Sequence, residues 1–167
     1  MVPKMVSRSD ATEFRLRYIR PCNGTTSTFV TYKFEFKKIH KDTHMSCNFS
    51  INVPIGDNIK YKVVLYVERA TGFMKLFEFK GKDCCKAANI YLGEFWYDIQ
   101  RKAGFSTTGQ CPMPKGKYML KNYPLNFDRL AYKGLPQGTL RANVFGKEVK
   151  TDKDAFCTEA LVDVLRS

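Results

Sequence analysis

The chain has 167 residues, of which 28 are Lys or Arg and 16 are Asp or Glu, so its formal net charge is +12. The hydrophobic fraction of 44% and the aromatic fraction of 14% exclude a disordered basic tail. No apolar run approaches the roughly 20 residues that a membrane-spanning helix needs. We therefore expect a compact, basic, soluble domain.

The beginning of the chain is basic and lacks the apolar stretch of a signal peptide. We expect residues 1–19 to be a flexible segment and residues 20–167 to form a single domain. If the protein is secreted, its leader has been removed from this sequence.

Alternation of apolar and polar residues predicts two neighbouring strands, over residues 29–37 and 45–53. A turn follows at residues 54–58. Asn48 falls on the outward face of the second strand. The inward candidates are Tyr32, Phe34, Phe36, Met45, Cys47, Phe49, Ile51 and Val53.

The next segment predicts a hairpin, with strands at residues 59–68 and 73–79 joined through 70–72. Residues 86–103 then change to a helical period. The apolar face of that helix consists of Leu92, Phe95, Trp96, Ile99 and Ala103. Gly93 weakens the helix by about 1 kcal/mol relative to alanine.

A polar loop at residues 104–109 precedes three more predicted strands, at 117–121, 138–145 and 155–165. Proline and glycine punctuate the links between them. Seven or eight short antiparallel strands with one helical insert predict an all-β fold, a β-sandwich.

Six cysteines in the chain allow a disulfide framework. They form no C-x-x-C pair, and His40 and His44 lie far from most of them, which disfavours a metal site. Asn23 and Asn48 each begin an N-glycosylation sequon. Together these features favour a secreted, oxidised glycoprotein. The alternative is a cytosolic protein with six buried thiols.

Enzyme motifs are missing from the sequence: it contains no G-x-S-x-G, H-E-x-x-H, P-loop or G-x-G-x-x-G pattern. Cys47 lies on the apolar face of a predicted strand, where a core thiol or half of a disulfide is expected. Asp83, Glu94 and Asp98 are read as solvated charges. We therefore expect a non-enzymatic protein without catalytic residues, metal or cofactor.

The net charge raises the alternative of nucleic-acid binding. A stacking platform needs aromatic and basic groups on one exposed face, whereas residues 32–38 place them on opposite faces of a strand. We therefore expect no specific nucleic-acid partner, and expect the charge to steer the protein toward anionic membranes, anionic ligands or acidic glycans.

Several segments resemble one family. Residues 111–120 read C-P-x-x-x-G-x-Y-x-L, residues 135–142 begin with L-P-x-G, and residues 59–76 form a strand–turn–strand unit. An adjacent cysteine pair also leads into the predicted helix at 88–102. These segments resemble the ML-domain lipid-recognition superfamily, and within it the ganglioside activator and the insect CheB-type secreted proteins.

The resemblance implies an immunoglobulin-like β-sandwich whose two sheets open at one end into an internal apolar cavity. It implies a disulfide between Cys22 and Cys157, which ties the last strand to the N-terminal one. We also expect Cys111 to pair with Cys84 or Cys85, and the remaining thiol of that pair to reach Cys47. The adjacent cysteines and the position of Cys47 depart from the family pattern.

Residues on the inner faces of the predicted strands, the helix face and the hairpin tip are the expected lining of the cavity. They are Phe34, Phe36, Ile51, Val53, Val63, Leu65, Val67, Phe73, Met74, Phe77, Leu92, Phe95, Trp96, Ile99, Tyr118, Leu120, Leu140 and Val144. A basic rim of Lys60, Lys62, Arg69 and Lys75 is expected to meet an anionic membrane or a ligand headgroup.

The sequence thus predicts a secreted, monomeric carrier of a lipid or another apolar small molecule. The resemblance implies either pheromone handling in chemosensation or presentation of a glycolipid, with a receptor or a hydrolase as partner. The alternative is a basic binding module for nucleic acid or acidic glycans.

Overall fold

A computed structural model describes residues 12–22, 29–40, 42–125 and 135–166 of the chain. The sequon at Asn23 and the first 11 residues of the expected flexible segment lie outside the described residues.

The described residues form two antiparallel sheets and one helix, which confirms the predicted β-sandwich with a helical insert. In the five-stranded sheet the order is β1-β8-β7-β4-β5, and in the three-stranded sheet it is β2-β3-β6. The first sheet contains β1 (Thr12–Pro21), β4 (Ile59–Arg69), β5 (Gly72–Gly81), β7 (Gly138–Glu148) and β8 (Asp154–Arg166). The second contains β2 (Val30–Ile39), β3 (Asp42–Ile51) and β6 (Gly116–Pro124), and the helix α1 is Cys84–Ala103.

Strand β1 corrects the expected flexible segment over residues 12–19, where the chain is a strand of the sheet. It pairs with the last strand, placing Phe14 opposite Val164 and Leu16 opposite Val162. The register shifts between Leu16 and Tyr18. Residues 13–18 alternate between polar and apolar side chains as a strand does, and the bulge brings Ile19 instead of Tyr18 to the inner face after Leu16.

Helix α1 has a capping residue at each end and an interruption in the middle. The Asp83 side chain accepts a hydrogen bond from the Lys86 backbone N–H, and Gly104 ends the helix in the left-handed conformation. Gly93 has φ 56° and ψ −136°, values outside the helical region, so two helical segments meet there. The sequence predicted that this glycine weakens the helix but not that it bends the helix.

The core of the described residues is divided into two clusters. In the larger one, side chains of β3, β6 and α1 pack on the start of β4; its buried members are Met45, Cys47, Ile51, Ile55, Ile59, Cys84, Phe95, Ile99, Ala103, Phe105, Leu120, Tyr123 and Ala155. The smaller cluster joins Val67, Leu140 and Val164, with Phe14, Leu135 and Val162 packed against them. The two clusters lie toward opposite ends of the five-stranded sheet.

Two disulfides are formed. Cys22 bonds to Cys157 with a Cα–Cα distance of 5.4 Å, which confirms that prediction. Cys111 bonds to Cys85, with a Cα–Cα distance of 5.8 Å, and not to its neighbour Cys84.

The expected third bridge is wrong, because Cys47 and Cys84 are free, buried thiols. Both lie in the larger core cluster, Cys47 on β3 and Cys84 in the first turn of α1. Burial raises the pKa of Cys47 to about 11 and that of Cys84 to about 12. Both thiols are therefore protonated and unreactive at neutral pH.

Candidate binding site between the sheets

The inner face of the five-stranded sheet is packed at its two ends but not in its middle. Two rows of side chains cross this middle part. One row runs Phe79, Val63, Val144, Thr158, and the next runs Phe77, Leu65, Ala142, Ala160, Ile19. Most of these side chains are only half-buried although they point inward; Leu65 is the buried one, with 8% of its surface exposed.

Neither core cluster includes the centre of these rows. Val63, Val144, Ala142 and Ala160 lie between the clusters along their strands, and among the described residues none of them packs with either cluster. The two alanines have small side chains, so the layer of side chains over the middle of the sheet is thin. We call these two rows the central floor.

Two aromatic rings, Tyr61 and Phe156, lie between the central floor and the larger cluster. A Cβ atom at Gly81 would lie 2.6 Å from the Tyr61 hydroxyl, and one at Gly146 would lie 2.3 Å from a Phe156 ring carbon. Each ring therefore covers a glycine on the neighbouring strand and uses the space that a side chain would take.

The three-stranded sheet lies opposite this floor and is joined to it by a hydrogen bond from Tyr32. The Tyr32 hydroxyl donates a hydrogen bond to the Cys157 carbonyl at 2.7 Å and lies 2.6 Å from the Thr158 hydroxyl. This contact holds β2 against β8. Further along β2, the Phe34 and Phe36 rings stack with centroids 6.2 Å apart, and Phe36 is 37% exposed.

A ladder of aromatic rings leads from the floor to the edge of the sandwich. On the edge strand β5, the Phe77 and Phe79 centroids are 6.0 Å apart, and the Phe79 and Tyr91 centroids are 4.9 Å apart. Next to Tyr91, Ile90 of α1 is 68% exposed. The apolar surface of the floor thus continues to solvent beside the helix.

The predicted lining residues divide into four groups. Ile51, Phe95, Ile99 and Leu120 are buried in the larger cluster, and Phe34, Val53, Trp96 and Tyr118 pack against it. Val67 and Leu140 belong to the smaller cluster. Val63, Leu65, Phe77 and Val144 lie on the central floor. Phe36, Met74 and Leu92 are exposed or half-buried outside the clusters.

Phe73, also predicted to line the cavity, lies outside these groups and does not point between the sheets. A bulge at Leu76 shifts the β4–β5 register, so that Phe73 pairs with Glu68 and faces outward. There the Arg141 guanidinium lies 4.6 Å from the centroid of the Phe73 ring and 4.4 Å from that of Tyr66. Simple alternation along β5 would have placed Phe73 inside.

The expected basic rim is also wrong. Lys60 and Arg69 lie at opposite ends of β4, about 30 Å apart at the usual rise of a strand. Lys60 pairs with Asp152 at 2.8 Å, and Glu78 pairs with both Lys62 and Lys75. Lys60 and Lys62 occupy the outward face of the sheet, because they alternate with the inward residues of β4.

Ala142, Ala160 and Phe79 were missed in the expected lining. Phe79 lay in a predicted strand and continues the alternation of Phe77. Alternation places both alanines on the inner face, Ala142 between Leu140 and Val144 and Ala160 two residues before Val162, but it does not indicate that an inner-face alanine lies outside the packed core.

Two buried donors near the larger cluster have no protein acceptor among the described residues: the Trp96 indole Nε1–H and the Gln100 side-chain Nε2–H. Gln100 is 1% exposed, and its other side-chain atom, Oε1, accepts a hydrogen bond from the Gly109 N–H at 2.8 Å. Trp96 and Gln100 are one turn apart on the regular part of α1.

No protein-family model matches the chain, and no curated protein matches it. Within the described residues, no helix is long and apolar enough to cross a membrane. The same residues contain no cluster of three or more His, Cys, Asp or Glu side chains that could hold a metal ion.

Proposed function

We propose that this protein is a non-enzymatic binding protein of the ML-domain type, which holds a lipid or another apolar small molecule between its two sheets. One observation supports this proposal above the others: the inward apolar side chains of the central floor are left out of both core clusters. An apolar site with few polar groups is what a lipid requires.

The surroundings of the floor support the same proposal. Phe34 and Phe36 provide apolar surface on the opposite sheet. The aromatic ladder through Phe79 and Tyr91 provides a continuous apolar path from solvent.

We propose further that the protein is secreted, because its two disulfides fit an oxidising compartment. In that setting the apolar ligand would be a chemosensory molecule such as a pheromone, or a glycolipid presented to a partner protein. Asn48 is exposed on the outer face of β3, where the proposed glycan has room.

Filling the central floor tests the proposal. The Ala160→Phe change adds a ring to the floor, whereas Leu161→Phe changes the neighbouring residue on the outward face of the same strand. We expect Ala160→Phe to weaken ligand binding by about tenfold or more, because the added ring takes the volume that the ligand needs. We expect Leu161→Phe to bind as the wild type does.

Binding is measured by native mass spectrometry of the purified protein and by titration with long-chain fatty acids. Trp96 is the only tryptophan and serves as the fluorescent reporter. Thermal unfolding of both variants controls for loss of the fold. The proposal fails if the wild type carries no lipid and its fluorescence shows no saturable change, or if both variants bind normally.

A further inference from the structure

The outward face of the three-stranded sheet carries a concentrated positive charge. Its outward side chains are Thr31, Lys33, Glu35, Lys37 and Ile39 of β2, Asp42, His44, Ser46, Asn48 and Ser50 of β3, and Lys117, Met119 and Lys121 of β6. We call this surface the lysine face. It has four lysines, one central glutamate (Glu35) and one aspartate (Asp42) at its end, and its centre is made of small polar side chains.

The four lysines are not neutralised by the protein. Among the described residues, none of them forms an ion pair with a carboxylate. Along each of the two outer strands the lysines are about 13 Å apart, and those two strands are about 10 Å apart. The two pairs of lysines are staggered, because Lys117 lies level with Thr31 and Lys33 lies level with Met119. The result is a parallelogram of positive charge open to solvent.

The outer face of the other sheet provides an internal comparison. Many of its cationic side chains are matched by acids, although Lys80 and Arg141 form no ion pair among the described residues. Arg17 pairs with Asp163 at 2.8 Å, and Arg20 pairs with Glu159 at 2.9 Å. Lys60, Lys62, Lys75 and Lys147 also have carboxylate partners. The high net charge of the chain is therefore unevenly distributed, and the lysine face holds an unpaired share of it.

We propose that the lysine face binds an acidic polysaccharide, one whose sulfate or carboxylate groups are spaced along an extended chain. The lysines match those anionic groups, and the central Ser46, Asn48 and Ser50 side chains can hydrogen-bond sugar hydroxyls. Met119 is the exposed apolar side chain of this face, at 62%. Among the described residues, the face carries no Phe, Tyr or Trp ring to stack on bases or to enter a lipid interface, which disfavours nucleic acid and membrane as occupants.

This proposal does not depend on the apolar ligand, because the lysine face and the central floor lie on opposite sides of the three-stranded sheet. A glycan on Asn48 would stand in the middle of the lysine face and cover it. The experiment therefore uses protein without an N-glycan, verified by intact mass, and compares it with glycosylated protein.

Two variants with the same change of net charge test the location of the site. The face variant is Lys33→Gln, Lys37→Gln, Lys117→Gln and Lys121→Gln. The control variant is Lys60→Gln, Lys62→Gln, Lys75→Gln and Lys147→Gln. Binding to heparin, a sulfated polysaccharide, is measured by surface plasmon resonance over a series of salt concentrations.

We expect the wild type to bind heparin with a salt-dependent affinity, and the face variant to bind about tenfold or more weakly with a shallower salt dependence. We expect the control variant to stay within about threefold of the wild type, and the glycosylated protein to bind more weakly than the bare one. A double variant, Lys33→Gln with Lys117→Gln, replaces the face variant if the latter does not fold.

Equal losses in the face and control variants would overturn the proposal, because binding would then follow net charge alone. Tighter binding to duplex DNA or to anionic phosphatidylserine vesicles than to heparin would overturn it as well. So would an absence of heparin binding by the wild type at physiological salt.

Discussion

A hydrogen bond between the first and last strands makes the stability of the sheet dependent on pH. The Tyr18 hydroxyl donates to a Glu159 carboxylate oxygen at 2.7 Å, and Arg20 donates to the same oxygen at 2.9 Å. The Tyr18 hydrogen bond lowers the pKa of Glu159 below its ordinary value. The unfolded chain therefore binds a proton more readily than the folded one, and this contribution to stability is present above about pH 4.3 and is lost as pH falls through the folded pKa.

We expect Tyr18→Phe to lower the free energy of unfolding by about 1 kcal/mol at neutral pH. The difference from the wild type should shrink at acidic pH, because protonation of Glu159 below its folded pKa removes the benefit of the bond. Urea unfolding of both proteins at neutral and at acidic pH measures this difference in the free energy of unfolding. An equal difference at both would mean that the tyrosine acts through packing alone.

Within helix α1, replacing Gly93 should change the free energy of unfolding in the direction opposite to the one that helix propensity predicts. If α1 were continuous, replacing the glycine with alanine would stabilise it by about 1 kcal/mol. At φ 56° and ψ −136° an alanine side chain is strained. We expect Gly93→Ala to lower the free energy of unfolding by about 1–3 kcal/mol.

Chemical denaturation of Gly93→Ala shows whether the change lowers the free energy of unfolding, as backbone strain predicts, or raises it, as helix propensity predicts. Gly104, which ends the helix at φ 98°, provides a reference, since Gly104→Ala meets no neighbouring atom and suffers backbone strain alone. A stabilised Gly93→Ala protein would show that the helix runs through this position without interruption.

At the scale of the whole molecule, Cys22–Cys157 joins positions 135 residues apart, whereas Cys85–Cys111 joins positions 26 apart. The loop-closure model assigns about 5 kcal/mol to the first bridge and about 3.5 kcal/mol to the second. We expect the Cys22→Ser and Cys157→Ser pair to lower the free energy of unfolding more than the Cys85→Ser and Cys111→Ser pair does.

Urea unfolding of the two double variants under oxidising conditions tests which disulfide contributes more to the free energy of unfolding. Peptide mapping without reductant first confirms that each variant keeps its other bridge. If removal of the shorter bridge costs more, contacts of the folded helix outweigh the constraint on the unfolded chain.

Most of the fold could be predicted from the sequence, because strands with one buried face alternate strongly. Phe34 with Phe36 and Val63 with Leu65 are examples, and β2 to β8 and the helix lie close to their predicted positions. What alternation could not predict are the bulges. The bulge in β1 brings Ile19 instead of Tyr18 to the inner face, and the one at Leu76 turned Phe73 outward.

Less of the candidate site could be predicted. The inner-face pattern selected Val63 and Val144 of the central floor, but it treated them in the same way as Ile51 and Leu120, which are packed in the core. Alternation shows which face a residue occupies, not whether an opposing side chain reaches it. That depends on the distance between the sheets, which is set by remote contacts such as the one from Tyr32 to β8.

The division of the core into two clusters has a consequence for cooperativity. β4 and β8 contribute side chains to both clusters, so in the ligand-free protein these two strands connect two separately packed ends. An apolar ligand on the central floor would contact both ends and make their packing continuous. The ligand would then serve as the middle of the hydrophobic core, and its release would let either end of the sandwich loosen without the other.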